Sequence, residues 1–179
     1  ITRDDQDALA LASHHNLAAA YDRGFFDDLL TPYLGLTRDQ NLRPDSTLEK
    51  LGSLKPVFGT GGAATMTAGN STMVSASPAR GSSAPSVTDG ASTVLLGSDE
   101  WAAEHGLTPL AWFVDGETAA VDYVTGDEGL LMAPAYAVPR LLARNGLSLQ
   151  DFDFYEIHEA FAATVLTTLA AWQDEDFCR

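Results

Sequence analysis

"FDFYEIHEAFAATVLTTLAAW", residues 152–172, changes its periodicity half-way along. Residues 152–157 alternate apolar and polar side chains, the pattern of a half-buried strand. From His158 onward the period lengthens, and Phe161, Val165, Leu169 and Trp172 fall on one face of a predicted helix. A strand running directly into a helix is the unit from which α/β folds are built. It also puts His158 at the carboxyl end of a strand, where side chains commonly line sites in such folds. Position alone leaves two readings open, a site imidazole or a ring that caps or packs the helix. His158-Glu159 begins like a zinc-protease motif, but position 162 is Ala162. One imidazole cannot assemble that site, so no metal is expected. Glu159, in the first turn of the predicted helix, is explained by the helix dipole.

The same alternation extends outward. Thr2 with Asp5 resembles a capping box, opening a helix in which Ala8, Leu11, Ala12, His15, Ala18 and Ala19 follow helical spacing. Gly24 ends it in the left-handed position. Residues 64–68 read as the first strand, and residues 91–96 as a short buried strand. Ser98 caps a helix over 99–105 that Gly106 closes, and "LAWFVDGETA" reads as a strand running into a turn. "APAYAVPRLLARN" is a helix stopped by Asn145-Gly146, with Pro139 expected in its first turn. "SASPARGSSAPS", residues 75–86, has the composition of a flexible loop.

Composition narrows the partners. The 179 residues are 45% hydrophobic, enough for one globular domain or most of one. Ten Lys and Arg against 25 Asp and Glu give a formal charge of −15, a field that repels nucleic acid and anionic membrane surfaces. No apolar run is long enough to span a bilayer. Cys178 is the only cysteine, which excludes an internal disulfide and points to a reducing compartment. Its neighbours Asp174, Glu175 and Asp176 make it a poor nucleophile. His14 and His15 are adjacent, point about 100° apart on a helix, and read as structural. His105, in the last turn of its short helix, complements the dipole. Both termini read as cuts in a longer polypeptide.

"FGTGGAATMTAGNST", residues 58–72, carries Gly59-x-Gly61-x-x-Ala64, a dinucleotide fingerprint on paper. The fingerprint needs a helix behind it and an acidic residue about 20 positions on. The segment that follows is β-branched and glycine-bearing, and no carboxylate appears before Asp89. A phosphate cradle is therefore disfavoured.

Four stretches in order then resemble the second half of a thiolase. "ITRDDQDALALASHHNLAAAYDRGFFDDLLTPY" is similar to the family's loop-domain helix. "LGSLKPVFGTGGAATMTAGNST" resembles its strand and loop with Thr-Ala-Gly-Asn. "TDGASTVLL" is similar to its Asp-Gly-Ala strand. "YEIHEAFAATVL" resembles its Asn-Glu-Ala-Phe-Ala box, in the His-Glu-Ala-Phe form of fatty-acid oxidation complex thiolase subunits. The resemblance implies an α/β fold of layered α-β-α-β-α type. Residues 1–56 would close the loop domain, 57–107 would end the N-terminal half with 75–86 as an insertion, and 108–179 would begin the C-terminal half.

The activity so implied is that of an acyl-CoA C-acyltransferase, which cleaves 3-ketoacyl-CoA with CoA, or condenses acetyl-CoA, through a cysteine acyl-enzyme. Coenzyme A and acyl-CoA enter as substrates, and no covalently bound cofactor is implied. Thr72 falls on the serine that touches the pantetheine arm and keeps its hydroxyl, while Ala68, Gly69 and Phe161 line the same approach. His158 takes the place of an asparagine that holds a water against the thioester oxygen. The family's nucleophilic cysteine falls before residue 1, and its Gly-His-Pro histidine and second cysteine fall after residue 179. A longer spacer than is common separates Asn70 from Asp89. The resemblance further implies a homodimer or homotetramer, a place in a fatty-acid oxidation complex, and a cytoplasmic or organellar-matrix setting. The rival from another class is a non-catalytic thiolase-like subunit or lipid-carrier relative that keeps the fold for assembly.

Overall fold

The computed structural model describes residues 1–57, 65–67, 69–70, 90–125, 129 and 131–178. The chain forms two compact units, Ile1–Ser86 with Asp153–Arg179, and Val87–Phe152. The expected loop at 75–86 and the glycine-rich 58–64 stretch lie outside the described residues.

In the first unit, helix α1 spans Arg3–Asp22. Its entrance is the capping box read from the sequence: Asp5 N donates to Thr2 Oγ1 at 3.2 Å and Thr2 N donates to Asp5 Oδ2 at 2.8 Å. These bonds satisfy donors that a helix start leaves orphaned, and they hold the Asp5 carboxyl below its ordinary value. At the other end Gly24, at φ +74°, closes a Schellman motif. Phe25 N donates to Ala20 O and Gly24 N to Tyr21 O, both at 3.0 Å.

The face α1 buries is not the one its apolar spacing predicted. Gln6 and Asp7, 1% and 3% exposed, are buried with Ala20, whereas Ala8, Ala12, His15 and Ala19 are exposed. Polar demand decides this: Arg3 Nε donates to Asp7 Oδ2 at 2.7 Å, and Arg3 Nη2 donates to the carbonyls of Leu51 and Leu54 at 2.6 and 3.2 Å. A buried carboxylate is tolerable only with such partners. Helix α2, Leu48–Gly52, is capped by Thr47, whose hydroxyl accepts from Lys50 N at 3.2 Å. It buries Leu51 and packs against α1.

The remaining helix of this unit, here labelled α5, spans Ala162–Trp172 and also packs on α1. It starts four residues later than the pattern predicted, so His158 and Glu159 precede it and the dipole reading of Glu159 falls. Its buried stripe is Ala162, Val165 and Thr168, while Leu169 is exposed.

In the second unit, α3 spans Asp99–Glu104, one residue shorter than the expected 99–105, with Ser98 Oγ accepting from Trp101 N and Gly106 at φ +65° behind it. His105 is its C-cap and stacks on the Trp101 ring, centroids 4.1 Å apart. Helix α4 spans Ala133–Asn145 and ends at Gly146, φ +65°. Pro139 lies in its interior rather than its first turn, where it cannot donate to the preceding turn.

None of the described residues forms a strand ladder. Isolated antiparallel bridges join Tyr33 with Leu36 and Pro56 with Thr67, the latter supported by Val57 N donating to Met66 O at 2.9 Å, and Phe161 is a further bridge residue. The runs predicted as strands at 91–96, 110–119 and 152–157 are not assigned as strands and are mostly exposed: Leu95, Phe113 and Phe154 all show most of their surface. An apolar run encodes a preference for cover, but a ladder needs a neighbouring strand to exchange backbone bonds with.

Arg144 of α4 holds the turn at 115–117. Its Nε donates to Asp115 Oδ2 at 2.9 Å, its Nη2 to Gly116 O at 3.0 Å, and it also pairs with Glu117. Asn145 Nδ2 adds a bond to Asp115 Oδ2 at 2.7 Å. The Arg144 hydrogen bond, followed by those from Asn145 and Gly116 N, lowers the Asp115 carboxyl from 3.8 to about 2. A depressed folded-state value means that this carboxylate stabilises the fold above its ordinary value, an effect lost as pH falls from 3.8 toward 2. Replacing Arg144 with Gln is expected to return the Asp115 titration, followed by carboxyl NMR shifts, toward its ordinary range. An unmoved midpoint would contradict the clamp.

Candidate functional site

The site is built around Asn70. Thr67, Gly69 and Asn70 are drawn into a turn because Thr67 and Asn70 satisfy each other. Thr67 N donates to Asn70 Oδ1 at 2.8 Å, Asn70 N donates to Thr67 O at 3.3 Å, and Gly69 N donates to Thr67 Oγ1 at 3.1 Å. Asparagine suits such a turn because its short amide can copy backbone hydrogen bonding. Thr67 is 0% and Asn70 2% exposed, so these bonds form away from water and leaving one unmade would be costly.

Asn70 then reaches outward in two directions. Its Nδ2 donates to Asp7 Oδ1 at 2.9 Å and to Thr65 O at 3.1 Å, tying the turn to α1. Its main-chain oxygen accepts from Ala162 N at 3.1 Å. That N–H belongs to the first residue of α5, one of the donors a helix start leaves without an intrahelical partner. Phe161, the N-cap, offers no side-chain cap, so Asn70 O caps in its place. Gln6 Nε2 adds a bond to Thr65 Oγ1 at 2.9 Å. Every donor of Asn70 and both its oxygens are engaged.

Thus the Thr-Ala-Gly-Asn turn and the His-Glu-Ala-Phe box, 92 positions apart by Asn70 and Ala162 (162 − 70), meet at one hydrogen bond. Gly69 and half-buried Phe161 flank it in sequence. His158 lies on the extended run that enters α5, is exposed, and makes no hydrogen bond among the described residues. Next to it, Glu159 Oε2 accepts from Ser13 Oγ of α1 at 2.6 Å. Thr72 and Ala68 lie outside the described residues. Cys178 is exposed, its Sγ toward Ala171 O and Trp172 O at 3.6 and 3.7 Å.

Histidines 14 and 15 hold a different segment. Arg43 N donates to His14 Nδ1 at 3.4 Å, and His15 Nε2 pairs with Ser46 O at 3.2 Å. Burial, then the Arg43 charge, pushes the His14 imidazole below its ordinary value, which agrees with a neutral ring accepting at Nδ1. Both histidines are structural, as their angular spacing implied.

Sequence reasoning missed Asn70 as the hub and also passed over Arg3, Asp7 and Ser13. Arg3 and Asp7 sit four apart, an ion-pair spacing visible on any helix. What the spacing does not show is that the pair is buried.

The model of the thiolase N-terminal domain matches residues 1–100, and that of the thiolase C-terminal domain matches residues 107–175. The chain belongs to the thiolase family. Over its whole length it is 36% identical to a 3-ketoacyl-CoA thiolase of Yersinia enterocolitica, and 36% identical to a probable 3-ketoacyl-CoA thiolase of Caenorhabditis elegans. The chain spans 38% and 37% of those two proteins. Among solved structures, human mitochondrial 3-ketoacyl-CoA thiolase in complex with CoA matches with a TM-score of 0.73 at 28% identity, over 98% of this chain and 41% of that one. Acetyl-CoA acetyltransferase from Syntrophomonas wolfei matches with a TM-score of 0.72 at 29% identity, over 98% and 40%. The backbone therefore follows part of the thiolase fold, as the four stretches implied.

In this thiolase turn Gly69 has a packing reason. A Cβ there would lie 2.6 Å from Leu51 Cδ2 and 2.7 Å from Leu54 Cδ1. Leu51 is buried and has little room to yield. Gly69→Ala is expected to destabilise the protein by about 1–3 kcal/mol, the usual range for overpacking. Denaturant unfolding checks this, and an unchanged midpoint would contradict it.

Proposed function

We propose that this stretch serves an acyl-CoA C-acyltransferase that cleaves 3-ketoacyl-CoA with CoA, or in reverse condenses acetyl-CoA. The observation that carries the reading is the Asn70 O to Ala162 N hydrogen bond. It joins the turn leading to Thr72 with the helix start that follows His158, so a ligand lying along one meets the other. The names of the relatives and the CoA complex of the human enzyme support the same reading.

In this reading Ala68, Gly69 and Thr72 lie along the pantetheine arm, with the Thr72 hydroxyl as hydrogen-bonding group and Phe161 as apolar wall. A cysteine thiolate supplied elsewhere in the enzyme attacks the 3-oxo carbon of the substrate. The bond between C2 and C3 breaks, acetyl-CoA leaves after protonation of its C2, and a second CoA thiol takes the shortened acyl group from the cysteine. Covalent capture divides one hard step into two easier ones.

His158 acts on the thioester oxygen. As C2 becomes a carbanion its charge spreads onto that oxygen, and a water held by the imidazole donates a hydrogen bond to it. Donors aimed at developing charge are worth about 3–4 kcal/mol each. A ring exposed at the helix entrance, without a hydrogen bond among the described residues, is open to such a water. The reading extends to a homodimer or homotetramer that handles acyl-CoA in a reducing compartment, alone or within a fatty-acid oxidation complex.

In a full-length enzyme carrying this sequence, His158→Ala is expected to lower kcat for thiolysis of acetoacetyl-CoA about 100-fold, with a much smaller change in KM for CoA. Steady-state kinetics decide it. An unchanged kcat would remove His158 from the reaction.

A further inference from the structure

The proposed function assigns roles to His158 and to the turn before Thr72, and none to Asn70. We infer that Asn70 is a positioning residue, which sets the His158 junction through Ala162 and the turn assigned to the pantetheine arm through Thr67. The inference rests on the acyltransferase reading for its catalytic consequence, but its geometry stands independently.

Three observations converge on it. The Asn70 side chain is buried and fully bonded within its own turn and to Asp7, so it has one available orientation. Its carbonyl replaces the missing side-chain cap at Ala162. A shift of the turn therefore moves the start of α5 and the chain entering it. Lastly, α1 presents Asp7 to Asn70 and Ser13 to Glu159. One helix thus holds both the turn and the residue adjoining His158. Arg3 fixes Asp7 from the other side and reaches the α2 carbonyls, so the carboxylate that orients Asn70 is itself oriented.

The chemistry selects asparagine. The position must donate toward a carboxylate and a carbonyl while accepting from a backbone N–H, and a primary amide does both. Aspartate keeps the acceptor but faces the Asp7 carboxylate at the distance now spanned by a hydrogen bond. Alanine leaves Asp7, Thr65 O and Thr67 N without this partner.

The test compares Asn70→Asp, Asn70→Ala and the exchanged pair Asp7→Asn with Asn70→Asp in the full-length enzyme. Two readouts are taken: hydrogen exchange of the backbone around Ala162, and kcat and KM for acetoacetyl-CoA thiolysis at a temperature where each variant is folded. Both single variants are expected to speed exchange at Ala162 and to lower kcat about tenfold or more, as small misplacements of reacting groups do. The exchanged pair restores one donor and one acceptor across the gap and should recover part of each loss. If the single variants do not fold, the exchanged pair carries the test, and exchange at Ala162 and kcat no nearer to wild type in it than in Asp7→Asn alone would overturn the inference. Unchanged exchange at Ala162 in a folded Asn70→Ala would overturn the coupling. Faster exchange with unchanged kcat would reduce Asn70 to a structural role and overturn the inference while leaving the acyltransferase reading intact. Absence of thiolysis in the unaltered enzyme contradicts the acyltransferase reading instead, and the exchange data then decide the coupling by themselves.

Discussion

A single buried carboxylate governs this site. Asp7 is 3% exposed, and taking a charge that far from water is affordable only with partners on both oxygens. Arg3 serves Oδ2 and Asn70 serves Oδ1. Removing one partner of a buried charge costs about 3–5 kcal/mol, against about 0.5–1.5 kcal/mol for an ordinary hydrogen bond. That difference makes Arg3 and Asn70 costlier to replace than a partner in an ordinary hydrogen bond. It also explains why α1 turns Gln6 and Asp7 inward and leaves several of its alanines in solvent.

From that constraint the rest of the first unit follows. Arg3, fixed by Asp7, anchors the end of α2 through the Leu51 and Leu54 carbonyls. Leu51 and Leu54 stand against Gly69, where no side chain would fit without a shift. Asn70, fixed by Asp7, closes its turn on Thr67 and caps α5 at Ala162. Packing adds its share, since burying a side chain such as Val165 contributes about 1.5–3 kcal/mol. Packing alone does not set a register, however. The hydrogen bond to Ala162 does, because it fixes which residue begins the helix and so where His158 stands.

Local features were legible in the sequence to the extent that their causes are local. The Thr2–Asp5 capping box, the Gly24 and Gly146 terminators and the Ser98 cap each depend on residues within a few positions, and each forms as read. The family and its fold were legible because four motifs keep their order along the chain. What depends on distant residues was not. The alternation at 152–157 and the apolar run at 91–96 state a preference for extended, covered backbone. They do not specify the strand that would pair with it. The start of α5 was misplaced for the same reason, since its cap comes from Asn70 rather than from the preceding residues. Of the site, His158 stood out by its position at a strand-to-helix junction and by the thiolase resemblance. Asn70 did not, because its importance lies in partners on α1 and α5 that no spacing reveals.

The most direct measurement is a crystal structure of the full-length enzyme with a bound acyl-CoA analogue. The account predicts that the pantetheine arm runs beside the turn ending in Asn70, and that the thioester oxygen lies within one bridging water of the His158 ring, with Asn70 O still on Ala162 N. A ligand seated away from both segments, or a His158 ring turned away from the thioester with that hydrogen bond broken, would contradict it.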